Sequence, residues 1–141
     1  MTEKPPAHNN RHKDQELINP IIPLPVRQKK AMRLPVYLYG HPVLRKSCSD
    51  IAPDREGLKE LIENMYATMY DSEGVGLAGP QIGLAERIVV IDADPVKDSF
   101  PECEGRKFTL INPEVEVLDG DTVTRAEGCL SLPGLSENVP R

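Results

Sequence analysis

Proline recurs so often in this chain that no regular element can run long. Fourteen of the 141 residues are proline, and each locks its own φ and withholds an N–H from helix or sheet. Short elements joined by sharp turns are expected, and a long helical bundle is excluded. Trp is absent, with four Tyr and two Phe, so a core has to rest on Leu, Ile, Val and Met. The length suits one domain of ordinary size.

Charge is spread unevenly. The chain carries 17 basic and 22 acidic residues, a net of -5. Residues 1–33 hold seven of the basic and three of the acidic side chains, together with five prolines. That segment lacks a periodic apolar pattern and cannot bury enough surface to offset chain entropy. Residues 1–31 are therefore read as a polar, Pro-rich disordered extension, and residues 32–141 as the folded domain. The acidic balance of the domain argues against a module dominated by phosphate contacts, so no direct nucleic-acid partner is expected. The longest apolar runs, such as Ile88–Ile91, are far too short to span a bilayer. Prolines 20, 23 and 25 break up the one apolar stretch near the N-terminus, so neither a secretory leader nor an amphipathic presequence is expected. A cytoplasmic location, away from membranes, is the expectation.

Leu58, Leu61, Ile62, Met65 and Met69 form one helical stripe, predicting an amphipathic helix over 55–71 with Asp54 as N-cap and Gly74 beyond its end. The methionines of the stripe are read as core packing. Pro35–Tyr39, Arg87–Asp92 and Phe108–Ile111 read as strands. Val115–Leu118 and Thr122–Arg125 flank Asp119-Gly120, a hairpin signal. Residues 93–106 form a polar excursion between strands. One N-terminal helix followed by short, mostly antiparallel strands indicates an α+β fold.

Two loops carry the chemistry-bearing residues. Gly74-Val75-Gly76-Leu77-Ala78-Gly79-Pro80-Gln81 contains G-x-G-x-x-G, but it follows a helix and leaves no room for the helix that a dinucleotide site requires. It is read either as a tight structural turn or as an extended segment laid beside a peptide, with Gln81 as a neutral donor. The second loop is Glu127-Gly128-Cys129-Leu130-Ser131. A cysteine among small neighbours is ordinarily a buried core residue; the alternative is a reactive or ligating thiolate. Cys48, Cys103 and Cys129 are odd in number and lack a C-x-x-C pair, which argues against a disulfide framework. His8 and His12 have helical metal spacing but lie in the tail, and His41 precedes Pro42 in a turn.

Together the two loops resemble those of the peptide deformylases. The family motif G-x-G-x-A-A-x-Q is matched by Gly74 to Gln81, with Gly79 in place of the usual second Ala, a change expected to add a little backbone freedom. The motif E-G-C-L-S is matched without change by Glu127 to Ser131. The opening Pro35–Arg45, Gly83, Ile111-Asn112-Pro113 and Val139-Pro140-Arg141 agree as well. The resemblance covers about residues 32–141. The family's third motif, H-E-x-x-H on a later helix, has no counterpart, so a fragment ending before its catalytic helix and inactive by itself is expected.

The resemblance implies a metallohydrolase that removes the formyl group from N-terminal N-formylmethionine of newly synthesised proteins. Its substrate would be a nascent peptide, met at the ribosome near the exit tunnel. Its metal would be Fe2+, with zinc or nickel in some preparations, held by Cys129 and two histidines. Gln81 and the backbone N–H of Leu130 would be the catalytic donors to the oxyanion. Val75, Gly76 and Gly128 would bind the peptide by strand addition. Glu127 and Arg141 would brace the second loop. Two rivals remain: a peptide-binding α+β domain without chemistry, in which Cys129 is dispensable, and an acyl-transferring thiol enzyme, which needs His41 within reach of Cys129.

Overall fold

A computed structural model describes residues 30–141. Of the expected extension, residues 1–29, with His8 and His12, lie outside the described residues. Helix α1 is Leu58–Asp71. Its stripe packs as the periodicity predicts: Met65 and Met69 are fully buried, and Leu58, Leu61 and Ile62 pack against the same core. The helix starts three residues later than expected, with Gly57 rather than Asp54 as its cap. Gly57 takes the left-handed region at φ 69. A right-handed helix cannot run through that conformation, so Arg55 and Glu56 stay outside it, and the Arg55 guanidinium lies 2.8 Å from the Glu86 carboxylate.

Strands β1 (Gly76–Ala78), β2 (Ile88–Asp92) and β3 (Lys107–Ile111) form an antiparallel sheet in that order. Leu77 pairs with Val90, and Val90 with Thr109. Leu77, Ile88 and Val90 point into the core shared with α1. Asn112, at φ 51, ends β3, and its carboxamide binds both the N–H and the carbonyl of Ile51. The excursion between β2 and β3 contains 3-10 turns at Asp94–Val96 and Pro101–Cys103. Asp94 fastens its ends by accepting from the Gly105 N–H at 2.9 Å.

Strands β4 (Thr124–Cys129) and β5 (Leu132–Pro140) form a second, two-stranded antiparallel sheet. The hairpin expected around Asp119-Gly120 does not form. Residues 124–129 pair with β5 instead, and reciprocal bonds between Val123 and Arg141 extend that pairing by one step. Val115, Val117 and Leu118 are left 90%, 91% and 77% exposed. The strand expected at Pro35–Tyr39 is likewise not one. These residues run as an extended strap whose N–H groups bond singly to loops rather than along a sheet partner. The α+β class stands: among the described residues one α-helix is followed by short antiparallel strands.

Candidate functional site

The first loop begins where α1 runs out. Gly74 donates to the Met69 carbonyl after Glu73 has turned into the left-handed region. The chain then enters β1, whose pairing with β2 fixes Gly76 opposite Ile91. This is helix-to-strand order, the reverse of a dinucleotide site. A 3-10 turn, Gly79–Ile82, follows. Within it Gln81 folds back so that its Oε1 accepts from the Ala78 N–H at 2.9 Å. With that end occupied, Nε2 faces outward, 3.7 Å from Cys129 Sγ and 3.3 Å from Ser131 Oγ.

Cys129 owes its aim to an irregularity in the second sheet. Gly128 pairs with Ser136, but Cys129 pairs with Leu132, so the register jumps between them. Such a bulge bends the strand and redirects its side chains. Cys129 is exposed, contrary to the ordinary expectation for cysteine. Leu130 turns inward and packs against the core. It passes so close to Gly74 that a Cβ there would stand 2.7 Å from Leu130 Cδ1.

The two loops enclose an open cleft of about 760 Å³. Val75, Gly76, Gln81, Gly128, Cys129 and Leu130 all line it, so every residue singled out for catalysis, substrate binding or metal ligation is brought to one place. Glu127 and Arg141 lie outside it. They form a two-point ion pair, Arg141 Nε and Nη2 donating to the Glu127 carboxylate at 2.8 and 2.7 Å. The guanidinium holds the Glu127 carboxyl below the usual glutamate range by hydrogen bonding. Sequence reasoning passed over Ser131, which is buried and bonded to Gln81. Its signal was available as the small polar end of E-G-C-L-S.

His41 is not part of this cleft. Its Nδ1 accepts from the Val43 N–H at 3.3 Å, capping a 3-10 turn, and its ring lies against Tyr37. A general base for Cys129 is therefore not supplied by His41, which removes the basis for the thiol-enzyme rival. A divalent metal fares differently at the level of donors. Cys129 offers one sulfur, while the neighbouring Gln81 nitrogen is an amide donor and not a ligand. Among the described residues no group of three or more His, Cys, Asp or Glu could hold an ion. The donors present do not by themselves fit a metal centre.

Gly79 behaves differently from the expectation of added freedom. A Cβ there would stand 2.6 Å from the Glu86 carbonyl oxygen and 3.1 Å from that of Leu84. The glycine is needed for close backbone approach, not for looseness.

Comparison with known proteins gives a family and related folds. The family model described as polypeptide deformylase matches residues 33–141. The peptide deformylase of Flavobacterium psychrophilum is 45% identical over 117 residues, covering 78% of this chain and 60% of its own length. The crystal structure of peptide deformylase from Thermus thermophilus superposes with a TM-score of 0.65 at 43% identity, over 78% of this chain and 61% of that one. That from Thermotoga maritima gives a TM-score of 0.66 at 36% identity, over 77% and 67%. The chain thus spans about 60% of the length of the curated relative it matches.

Proposed function

This chain belongs to the polypeptide deformylase family, and we propose that it carries the peptide-binding and hydrogen-bond-donating half of a site that removes formyl groups from N-formylmethionyl nascent peptides. The observation that carries this reading is Gln81 Nε2 facing the Cys129 sulfur at 3.7 Å inside the cleft. A peptide N-terminus entering there runs beside Val75 and Gly76 on one side and Gly128 on the other. Gly76 and Gly128 leave the peptide backbone room to approach, as strand addition requires. Gln81 Nε2 and the Leu130 N–H then face the formyl oxygen. A donor so placed is worth about 3 kcal/mol once charge develops on that oxygen.

Family members are metalloenzymes. Toward the ferrous iron, zinc or nickel implied by the resemblance, the described residues contribute Cys129 as a single donor. The chain's own part is binding and orientation. For the 141 residues alone we expect sub-stoichiometric metal and no release of formate above background. A second reading, a peptide-binding domain without hydrolysis, needs only the cleft and the backbone beside it. The functional unit is residues 32–141, with residues 1–31 dispensable. In support, the Met32 and Leu34 N–H groups are tied to Asn64 and Thr68 of α1, which anchors the start of this unit. The substrate is met in the cytoplasm as it leaves the ribosome.

Titrating an N-formylmethionyl peptide into isotopically labelled protein tests the proposal. Amide shifts at Val75, Gly76, Gly128 and Leu130 are expected, stronger than those caused by the same peptide without its formyl group. Shifts confined to another surface, or equal response to both peptides, would overturn it. Formate release and bound metal, measured alongside, separate the hydrolytic reading from the binding one.

A further inference from the structure

Four residues close a hydrogen-bonded ring behind the cleft, joined to it through Gln81. Tyr37 N–H donates to the Gln81 carbonyl at 2.7 Å, and Tyr39 N–H donates to the Ser131 carbonyl at 2.8 Å. The third contact is between side chains, Gln81 Nε2 donating to Ser131 Oγ at 3.3 Å. The strap residues Tyr37-Leu38-Tyr39 complete the circuit. The strap itself is seated tightly: a Cβ on Gly83, whose φ is +87, would stand 2.7 Å from the Tyr37 ring.

This ring constrains one side chain above all. The Ala78 N–H fixes which end of the Gln81 carboxamide points out, because a flipped amide would set Nε2 against that N–H, donor against donor. It does not fix the angle at which Nε2 leaves. The sulfur of Cys129, at 3.7 Å, is a long and soft acceptor. Ser131 is 6% exposed and its carbonyl is held by the strap, so its hydroxyl is an acceptor on a short tether within a buried setting.

We propose that Ser131 is the positioning residue of this site: its hydroxyl, carried on a backbone that the Tyr39 N–H holds at the carbonyl, sets the direction of the Gln81 carboxamide over the cleft. Ser131 does not touch the substrate; it acts through Gln81. One carboxamide proton goes to Ser131 and the other stays directed toward Cys129 and the space above it. Fixing the donor in advance spares the ordering cost when a carbonyl oxygen arrives. The consequence for peptide binding rests on the reading of Gln81 given above, whereas the orientation of the carboxamide does not.

The test uses the full chain labelled with nitrogen-15. In the unmodified protein the Gln81 side-chain NH2 should be as rigid as the backbone on the fast timescale and show an NOE to the Ser131 β protons. Ser131→Ala should release it to the behaviour of a free glutamine amide, while Tyr39 keeps its protection from exchange. Ser131→Thr, which retains the hydroxyl, should restore rigidity. In a Gln81→Leu background, Ser131→Ala should change N-formylmethionyl peptide affinity no further. A Gln81 NH2 that stays equally rigid in folded Ser131→Ala overturns the proposal. So does a mobile NH2 in the unmodified protein, a measurement that decides the matter even if the alanine variant does not fold. If the peptide fails to bind in the cleft while the amide results hold, the functional reading falls and the positioning role survives.

Discussion

Leu130 stands where a side chain on Gly74 would have to go, its Cδ1 2.7 Å from the position of a Cβ there. The first residue of one loop thereby makes room for the core anchor of the other. Gly74→Ala should push Leu130 out of its seat and destabilise the protein by about 1–3 kcal/mol, as overpacking does. Denaturant melts of Gly74→Ala, Leu130→Ala and the pair form a double-mutant cycle. The pair should cost less than the sum of the single changes, and strict additivity would contradict the contact.

Gly79→Ala gives a sharper case, since alanine is what the family motif places there. The added Cβ meets the backbone oxygen of Glu86 at 2.6 Å, and a carbonyl in a packed loop cannot swing aside as a side-chain tip can. A loss of about 1–3 kcal/mol is expected, read as a lower Tm. An unchanged or higher Tm would show that the 84–86 loop shifts freely.

Gly76 differs, because a Cβ there meets only the Val90 carbonyl oxygen at an ordinary 3.7 Å. Gly76→Ala should leave Tm within a degree or two. In the cleft it should weaken N-formylmethionyl peptide binding by about tenfold, which is 1.4 kcal/mol. Calorimetric titration reads the affinity directly. Unaltered affinity would remove Gly76 from the peptide path.

The tie across the excursion is pH-dependent, with a definite sign. The Gly105 N–H, and after it Lys97, hold the Asp94 carboxyl below the ordinary aspartate range. A carboxyl whose folded pKa is depressed contributes its stabilisation above its unfolded pKa and loses it as pH falls through the folded value. The Gly105 amide should therefore stay protected at neutral pH and open in acid, below the ordinary aspartate pKa. Asp94→Asn should leave that amide's protection independent of pH across the same window. Loss of protection on raising the pH would reverse the assignment.

The core of this fold was legible because its pattern is local. A stripe at helical spacing names Met65 and Met69 without knowledge of their partners, and the β-branched run 88–91 names its own strand. The two motifs likewise named Gln81 and Cys129. What sequence left open is decided by competition between distant segments. Thr124 and Arg125 follow a good turn signal, Asp119-Gly120, that points them at 115–118, yet β5 offers a longer ladder and takes them. Pro35–Tyr39 has strand composition, but its N–H groups are claimed one at a time by Gln81 and Ser131. Asp54 has the chemistry of a cap, but the left-handed Gly57 stands between it and the first helical turn. Ser131 escaped notice because a serine's role depends on which amide it faces.

The ring through Tyr37, Gln81, Ser131 and Tyr39 also sets an order of events during synthesis. Tyr39 leaves the ribosome early, and its carbonyl partner on Ser131 is among the last residues described. Helix α1 and the first sheet are built from nearer neighbours, and of the second loop they take only Leu130 into their core. Closing a contact between such distant segments carries the larger entropic cost and comes late. The cleft is thus the part of the molecule that a nascent chain cannot finish until residue 131 has been made.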